Sequence, residues 1–253
     1  MNSLAHKVIA ITGGSRGIGQ ALLQLSLTLN AKTAYCARKP LSEEQNNENC
    51  LFVITDVSDP KQIKNFIGTT IKHYGKIDVL IHNAAITKDH LLVTLPPDIW
   101  NEVIQTNLTS AFTISKSVIE VLLHQSDGGH LAFIGSLAAS GAPSNACYAT
   151  TKGGLLGLSS VIASQYSSEQ ITSNVFLLGL VDTGMTENYP KPARQLLVDS
   201  CSLKRSASPG EIAAQILYLI THCRHAINGQ TIHLTGGLLD FPLGNKAALK
   251  NAT

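Results

Sequence analysis

The sequence predicts one α/β domain, a doubly wound parallel sheet of about seven strands with helices on both faces. Three observations carry this. Short apolar runs of strand length alternate with longer segments of helical period. A glycine-rich turn, TGGSRGIG at 12–19, joins the first apolar run to the first helical segment. No linker of Pro, Gly and Ser and no internal repeat divides the chain, and 253 residues, 44% of them hydrophobic, suffice for one large core.

Taken in order, KVIAI (7–11) reads as a buried strand and QALLQLSLTLN (20–30) as a helix. KTAYC (32–36) and LFVIT (51–55) are the next strands. PKQIKNFIGTTIKHY (60–74) sets Ile63, Phe66, Ile67, Ile71 and Tyr74 on one helical face. DVLIH (78–82) is a strand, and 98–125 reads as one long helix with Pro96 and Pro97 at its start. HLAFIG (130–135) is a strand and 148–168 a second long helix. ITSNVFLL (171–178) and QTIHLTG (230–236) close the strand set. Strands separated by helices imply parallel crossovers. Val181 to about Ser208 reads as a long irregular stretch after a parallel strand, the kind that is functional or mobile. The domain is expected to span 1–243, with 244–253 a C-terminal tail that is loose or a short helix.

Composition narrows the function classes. Charged residues are only 14% and the formal net charge is +2, which leaves no electrostatic footprint for nucleic acid or an anionic membrane. MNSLAHKVIAIT lacks the pattern of a signal peptide, and no apolar run approaches the roughly 18 residues needed to cross a bilayer. The expected location is cytoplasmic. Cys36, Cys50, Cys147, Cys201 and Cys223 are dispersed, as reduced, mostly buried thiols would be. HCRH at 222–225 is the one local cluster of metal-ligand type; without two further ligands at suitable spacing it reads as a polar helix end, and no metal is expected.

In TGGSRGIG, Gly13, Gly17 and Gly19 let the backbone turn tightly and let a pyrophosphate approach the N-terminus of the following helix. Ser15, Arg16 and Ile18 belong to the same anion cradle. The spacing is T-G-x-x-x-G-x-G, not G-x-G-x-x-G. A strand-to-helix turn needing glycine only for shape is the alternative, but the position after a first strand favours a dinucleotide. The second strand ends AYCARKP: Ala37 stands where an NAD-preferring fold places an acid, and Glu43 is the first acid beyond it. Arg38, Lys39 and Arg16 are cations suited to a ribose phosphate. The predicted cofactor is NADPH/NADP+.

YATTK at 148–152 places Tyr148 and Lys152 one helical turn apart. Alone this is as well explained by a surface neighbour pair. A hydride delivered to a carbonyl carbon, however, leaves charge on oxygen, and a tyrosine can supply the proton if a neighbouring ammonium brings its pKa down from about 10.

Over nearly all of residues 5 to 242 the chain resembles the short-chain dehydrogenase/reductase family, and within it the 3-oxoacyl-(acyl carrier protein) reductases. The resemblance is carried by TGGSRGIG, Asp56 in TDVSD, NAA at 83–85, Asn107 in TNL, Ser136 in IGS, Tyr148 with Lys152, GLVDTGM, and the whole run ITKDHLLVTLPPDIWNEVIQTNL. It implies a Rossmann-like fold and a catalytic set of Asn107, Ser136, Tyr148 and Lys152. Lys152 would also contact the nicotinamide ribose, Ser136 the substrate oxygen, and Asn107 would help hold a water joining the lysine to solvent. Read separately, Ser136 could be a cap, Asn107 a polar helix residue and Tyr148 a packing residue. The resemblance further implies that Asp56 and Val57 flank the adenine, that Asn83 and Ala84 lie along the cofactor, that Gly179 allows close backbone approach, and that Thr183 contacts the nicotinamide carboxamide. It also implies a homotetramer, with the two long helices packed on partners and the C-terminal strand region at another interface.

The chain departs from the family pattern in places. Leu178-Gly179 replaces the usual Pro-Gly, and the stretch from Ser136 to Tyr148 is one residue shorter than in the nearest reductases. Asp127 and Glu169 stand where reductases serving the acidic acyl carrier protein tend to have basic residues; Arg194, Lys204 and Arg205 are candidates to substitute. The expected function is NADPH-dependent reduction of a 3-oxoacyl thioester, on acyl carrier protein or CoA, to the 3-hydroxyacyl product. A reductase or dehydrogenase of another ketone or secondary alcohol is the alternative. A non-catalytic dinucleotide sensor is a further one, against which the intact Tyr148–Lys152 pair argues. An enoyl reductase would carry a longer tyrosine-to-lysine spacing.

Overall fold

The computed structural model describes residues 4–41, 46–187, 189–223 and 226–239. Seven strands form one parallel sheet: β1 (Val8–Thr12), β2 (Lys32–Ala37), β3 (Cys50–Ile54), β4 (Val79–His82), β5 (Gly129–Ser136), β6 (Ile171–Leu178) and β7 (Thr231–Leu234). Their order is β3-β2-β1-β4-β5-β6-β7. The winding reverses between β1 and β4, so the carboxyl ends of these two strands open a crevice, the place where ligands bind in such sheets. Thr12 and His82, the last residues of β1 and β4, are directly paired there.

Helices cover both faces. On one, α2 (Pro60–Tyr74), α4 (Ser110–Leu122) and α5 (Ala146–Gln165) bury Phe66, Ile114 and Leu155 against Phe133 and Leu80 of the sheet. On the other, α1 (Gly17–Thr28) and α7 (Pro209–His222) pack together and bury Leu22 and Ile216 against Ile81 and Phe176. Each such side chain contributes about 1.5–3 kcal/mol by leaving water. Local signals set the helix ends. Asp59 caps α2 by accepting the N–H of Lys61, Pro60 follows at the first turn, and Gly75 ends the helix at φ 80°. Ser208 and Glu211 cap α7 reciprocally.

The structure differs from the sequence reading in three places. The helix expected over 98–125 is α3 (Pro97–Ile104) and α4, joined by a π-turn at Gln105–Thr109. The irregular stretch after Val181 contains a helix, α6 (Lys191–Ser200), opened by Pro190 and Pro192. Helix α7 is an element absent from the sequence reading, although its capping box and apolar period (Ile212, Ile216, Leu217, Ile220) are in the sequence. The tail at 244–253, Glu43 and part of the HCRH cluster lie outside the described residues. All five cysteines are free, and four are buried. Among the described residues no helix is long and apolar enough to cross a membrane.

Candidate active site

A cleft of about 1540 Å³ runs along the carboxyl ends of the strands. Every site residue picked out from the sequence lines it except Gly19 and Asn107, which lie behind its wall.

The turn between β1 and α1 has the shape of an anion cradle. Gly13 and Gly17 adopt φ of 67° and 55°, which side-chain-bearing residues rarely adopt. A Cβ on Gly19 would stand 2.1 Å from the Gly13 carbonyl oxygen, so the first turn of α1 can seat against the loop only without one. Arg16 at the N-cap is extended and gives no side-chain cap, leaving the first-turn N–H groups for a ligand. These features fit a dinucleotide pyrophosphate. Gly19→Val is accordingly expected to weaken dinucleotide affinity by more than about ten-fold. Fluorescence titration measures this, with circular dichroism to verify the fold.

At the far end of the cradle, Ala37 closes β2, and Arg16, Arg38 and Lys39 are exposed with no ion-pair partner among the described residues. Asp56 is held in a tight turn: its Oδ1 accepts the N–H (2.9 Å) and hydroxyl (2.7 Å) of Ser58, and its own N–H donates to Gln62 Oε1 (2.8 Å). Val57 follows it into the cleft wall. Asn83 turns its amide toward the glycine loop, donating to the carbonyls of Thr12 (3.1 Å) and Gly13 (3.0 Å). It braces the cradle, and Ala84 follows it along the cleft.

The reactive-group end is built by β5 and α5. Ser136, the last residue of β5, caps the short turn Leu137–Ser140 by accepting the N–H of Ala138 (3.2 Å), and its hydroxyl also hydrogen-bonds Tyr148. The cap reading of Ser136 and its place beside Tyr148 therefore hold together. Tyr148 sits in the first turn of α5 and Lys152 one turn on, as the spacing predicts. Lys152 is 3% exposed; its ammonium donates to the Ile134 carbonyl (2.6 Å) and lies 5.5 Å from the centre of the Tyr148 ring. Burial lowers the Lys152 ammonium to about 8. The Tyr148 phenol moves the other way: burial raises it above its ordinary value, Tyr189 adds to this, and the Ser136 hydrogen bond opposes it. The ammonium is aimed at a strand carbonyl and the ring face rather than at the phenol oxygen, so the lowering expected from the lysine is not present in the protein alone.

Asn107 is 1% exposed, at the centre of the π-turn. Its Oδ1 accepts the Ile86 N–H (2.9 Å), and its Nδ2 donates to the Ile86 carbonyl (2.9 Å) and to Thr151 Oγ1 (3.2 Å). Thr151 in turn donates to the Tyr148 carbonyl (2.8 Å). Both amide donors are thus committed to tying the loop after β4 to the first turn of α5. The wide turn puts Asn107 where it meets both, and π-turns recur at functional sites.

Gly179 is pressed against the end of β7: a Cβ there would stand 2.9 Å from the Thr235 Cα and carbonyl oxygen. Thr183 donates its N–H to Thr186 Oγ1 (3.1 Å), and its side chain lies across the cleft beside Gly17. Beyond it the wall becomes apolar, with Leu137, Leu180, Leu197 and Leu238 joined by Tyr189. Tyr189 was not read from the sequence; it lies in the irregular stretch, where no periodicity marks a facing side chain. Burial and the Asp89 charge raise its phenol.

The charged positions are also placed. Asp127 and Glu169 are exposed beside the amino ends of β5 and β6, the edge opposite the cleft. Arg194 pairs with Asp182 (2.5 Å), and Arg205 takes both oxygens of Glu211 (2.6 and 3.0 Å), holding that carboxyl down to about 2. Lys204 donates to the Asp199 carbonyl.

Comparison with known proteins agrees with this geometry. The short chain dehydrogenase family profile matches residues 7–194. The 3-oxoacyl-[acyl-carrier-protein] reductase FabG of Salmonella typhimurium is 31% identical over 241 residues, covering 93% of this chain and 98% of that protein. The protein of the same name from Escherichia coli is 31% identical over 237 residues, 92% and 97% of the two chains. In fold, the chain is similar to the aldohexose dehydrogenase of Thermoplasma acidophilum, with a TM-score of 0.84 at 24% identity over 94% of this chain and 96% of that one. Seven parallel strands, a dinucleotide-shaped glycine turn and a profile match over most of the length place this chain in the short chain dehydrogenase family of nicotinamide-dependent oxidoreductases.

Proposed function

We propose that this protein reduces the 3-oxo group of an acyl thioester with NADPH, giving the 3-hydroxyacyl product. The observation that carries the proposal is the position of Ser136, Tyr148 and Lys152 between the glycine cradle and an apolar wall of leucines fit for an acyl chain. Gly13, Ser15, Arg16, Gly17, Ile18 and Gly19 would hold the pyrophosphate, Asp56 and Val57 the adenine, and Asn83, Ala84, Gly179 and Thr183 the nicotinamide half. When bound, the reduced nicotinamide supplies the hydride. Ser136 and Tyr148 bind and orient the ketone oxygen, and Tyr148 donates its proton as charge develops there. Lys152 stabilises the tyrosinate that remains. Asn107 fixes the first turn of α5 through Thr151 and holds the water route by which the proton is replaced.

Arg38 and Arg16, in no ion pair among the described residues and with no acid at Ala37, are the groups proposed to hold the extra phosphate of NADPH. NADPH is expected to exceed NADH in kcat/KM by more than about ten-fold, and Arg38→Asp to erase that preference. Steady-state kinetics with both cofactors measures it. A homotetramer is the proposed assembly. Phe112 on α4 and Val161 on α5 are 57% and 58% exposed, an apolar surface that a partner would cover. Phe112→Asp is expected to yield smaller species in analytical ultracentrifugation with unchanged circular dichroism.

Arg194 and Arg205 are neutralised by Asp182 and Glu211, whereas exposed Lys191 and Lys204 are in no ion pair among the described residues, so both carriers are compared directly. NADPH oxidation is compared with acetoacetyl-CoA, a 3-oxoacyl carrier protein and simple ketones. Turnover of either thioester supports the proposal; turnover of simple ketones alone would defeat it.

A further inference from the structure

His82 ends β4 beside Thr12, is 1% exposed, and does not line the cleft. Both its ring nitrogens nevertheless have partners: Nδ1 is 3.3 Å from Thr12 Oγ1, and Nε2 is 3.4 Å from Ser110 Oγ. Thr12 Oγ1 already accepts the N–H groups of Asn83 and Ala84, each at 3.0 Å. Both its lone pairs are used, so its hydroxyl proton goes to His82 Nδ1. The neutral ring then carries its proton on Nε2 and donates to Ser110. Ser110 passes its own proton to the Thr106 carbonyl at 2.5 Å.

That last contact lies inside the π-turn. The Ser110 N–H bonds the Gln105 carbonyl, one residue further back than in an α-helix, and the Thr106 carbonyl takes the Ser110 hydroxyl. The groups facing the imidazole are Thr12 from β1, Ser110 and the Asn107 backbone from the turn, the Phe133 ring from β5 at 6.2 Å, and the Lys152 charge from α5. Burial, then that charge, lowers His82 to about 3, so the ring stays neutral in the working pH range.

We propose that His82 is a positioning residue, a neutral strut whose Nδ1 accepts from Thr12 and whose Nε2 donates to Ser110. It thereby sets the spacing between the Asn83–Ala84 backbone at the cofactor cleft and the π-turn that carries Asn107. Its effect on turnover rests on the roles proposed above for those residues.

Two amide variants separate the ends of the strut. An Asn side chain places its oxygen where Nδ1 lies and keeps the Thr12 end; a Gln places its nitrogen where Nε2 lies and keeps the Ser110 end. His82→Asn is expected to lower kcat about five-fold with the dinucleotide Kd within about two-fold of wild type; His82→Gln is expected to do the reverse. Ser110→Ala should repeat the kcat loss and add nothing to it in the His82→Asn background. Equal loss of both parameters in both variants, or additive losses with Ser110→Ala, would overturn the strut, as would no change in either variant. Amide hydrogen exchange tests the same idea without turnover. His82→Asn should speed exchange at 105–111 and spare 83–84, and His82→Gln the opposite. If wild-type protein fails to reduce thioesters, the function proposal fails, whereas uniform exchange in the variants refutes the strut.

Discussion

Replacing Tyr148 with Phe is expected to lower kcat for carbonyl reduction by about 10³-fold or more, with NADPH affinity nearly unchanged. The substitution keeps the ring that the Lys152 ammonium faces at 5.5 Å, and the Ile134 carbonyl remains to hold that ammonium. What is lost is the hydroxyl proposed to give its proton to the ketone oxygen. Ser136 also keeps its contact with Ala138. The loss should fall on kcat and kcat/KM together, the signature of an interaction made in the transition state. Stopped-flow hydride transfer with a fluorescence titration of NADPH separates the two quantities. Near-normal turnover in the variant would remove Tyr148 from the chemistry.

Lys152→Met is expected to lower kcat about 10²- to 10³-fold and to weaken NADPH binding as well. The buried ammonium is the charge available to stabilise a tyrosinate, and methionine fills the space without it. A pH profile adds a sharper sign. Burial lowers this base to about 8, so it is charged below that pH and neutral above it. In wild-type protein kcat/KM for reduction should therefore fall as pH rises through about 8, because free-enzyme groups govern that parameter. The residual activity of Lys152→Met should lack this limb. An unchanged limb in the variant would assign it to another group.

Much of this was legible in the sequence because it depends on short-range rules. Short apolar runs marked all seven strands, and the glycine turn marked the junction of β1 and α1. The four-residue spacing of Tyr148 and Lys152 needed only a helix. What escaped depends on tertiary packing. Nothing local in EVIQTNLTS signals a π-turn; the extra residue is stabilised by Ser110 and by Asn107 bonding to Ile86, 21 residues away in sequence. His82 looked like one more apolar-strand residue, since its partners are Thr12 and Ser110 on other elements. Asn83 lines the cleft, and the brace its amide makes to the carbonyls of Thr12 and Gly13 is invisible locally because those residues are distant in sequence. Tyr189 and helix α6 lie where short apolar steps and prolines hide periodicity. The basic residues Arg194 and Arg205 looked free in sequence; their acids, Asp182 and Glu211, are brought close by the fold.

The central claim is that this cleft reduces a 3-oxoacyl thioester with NADPH. The direct measurement incubates protein with acetoacetyl-CoA and NADPH and follows cofactor oxidation and thioester mass together. One 3-hydroxybutanoyl thioester, two hydrogens heavier than the substrate, is expected for each NADPH consumed, formed more slowly by about 10³-fold or more with Tyr148→Phe. Oxidation of NADPH with the thioester unaltered, or reduction of simple ketones while the thioester persists, would contradict it.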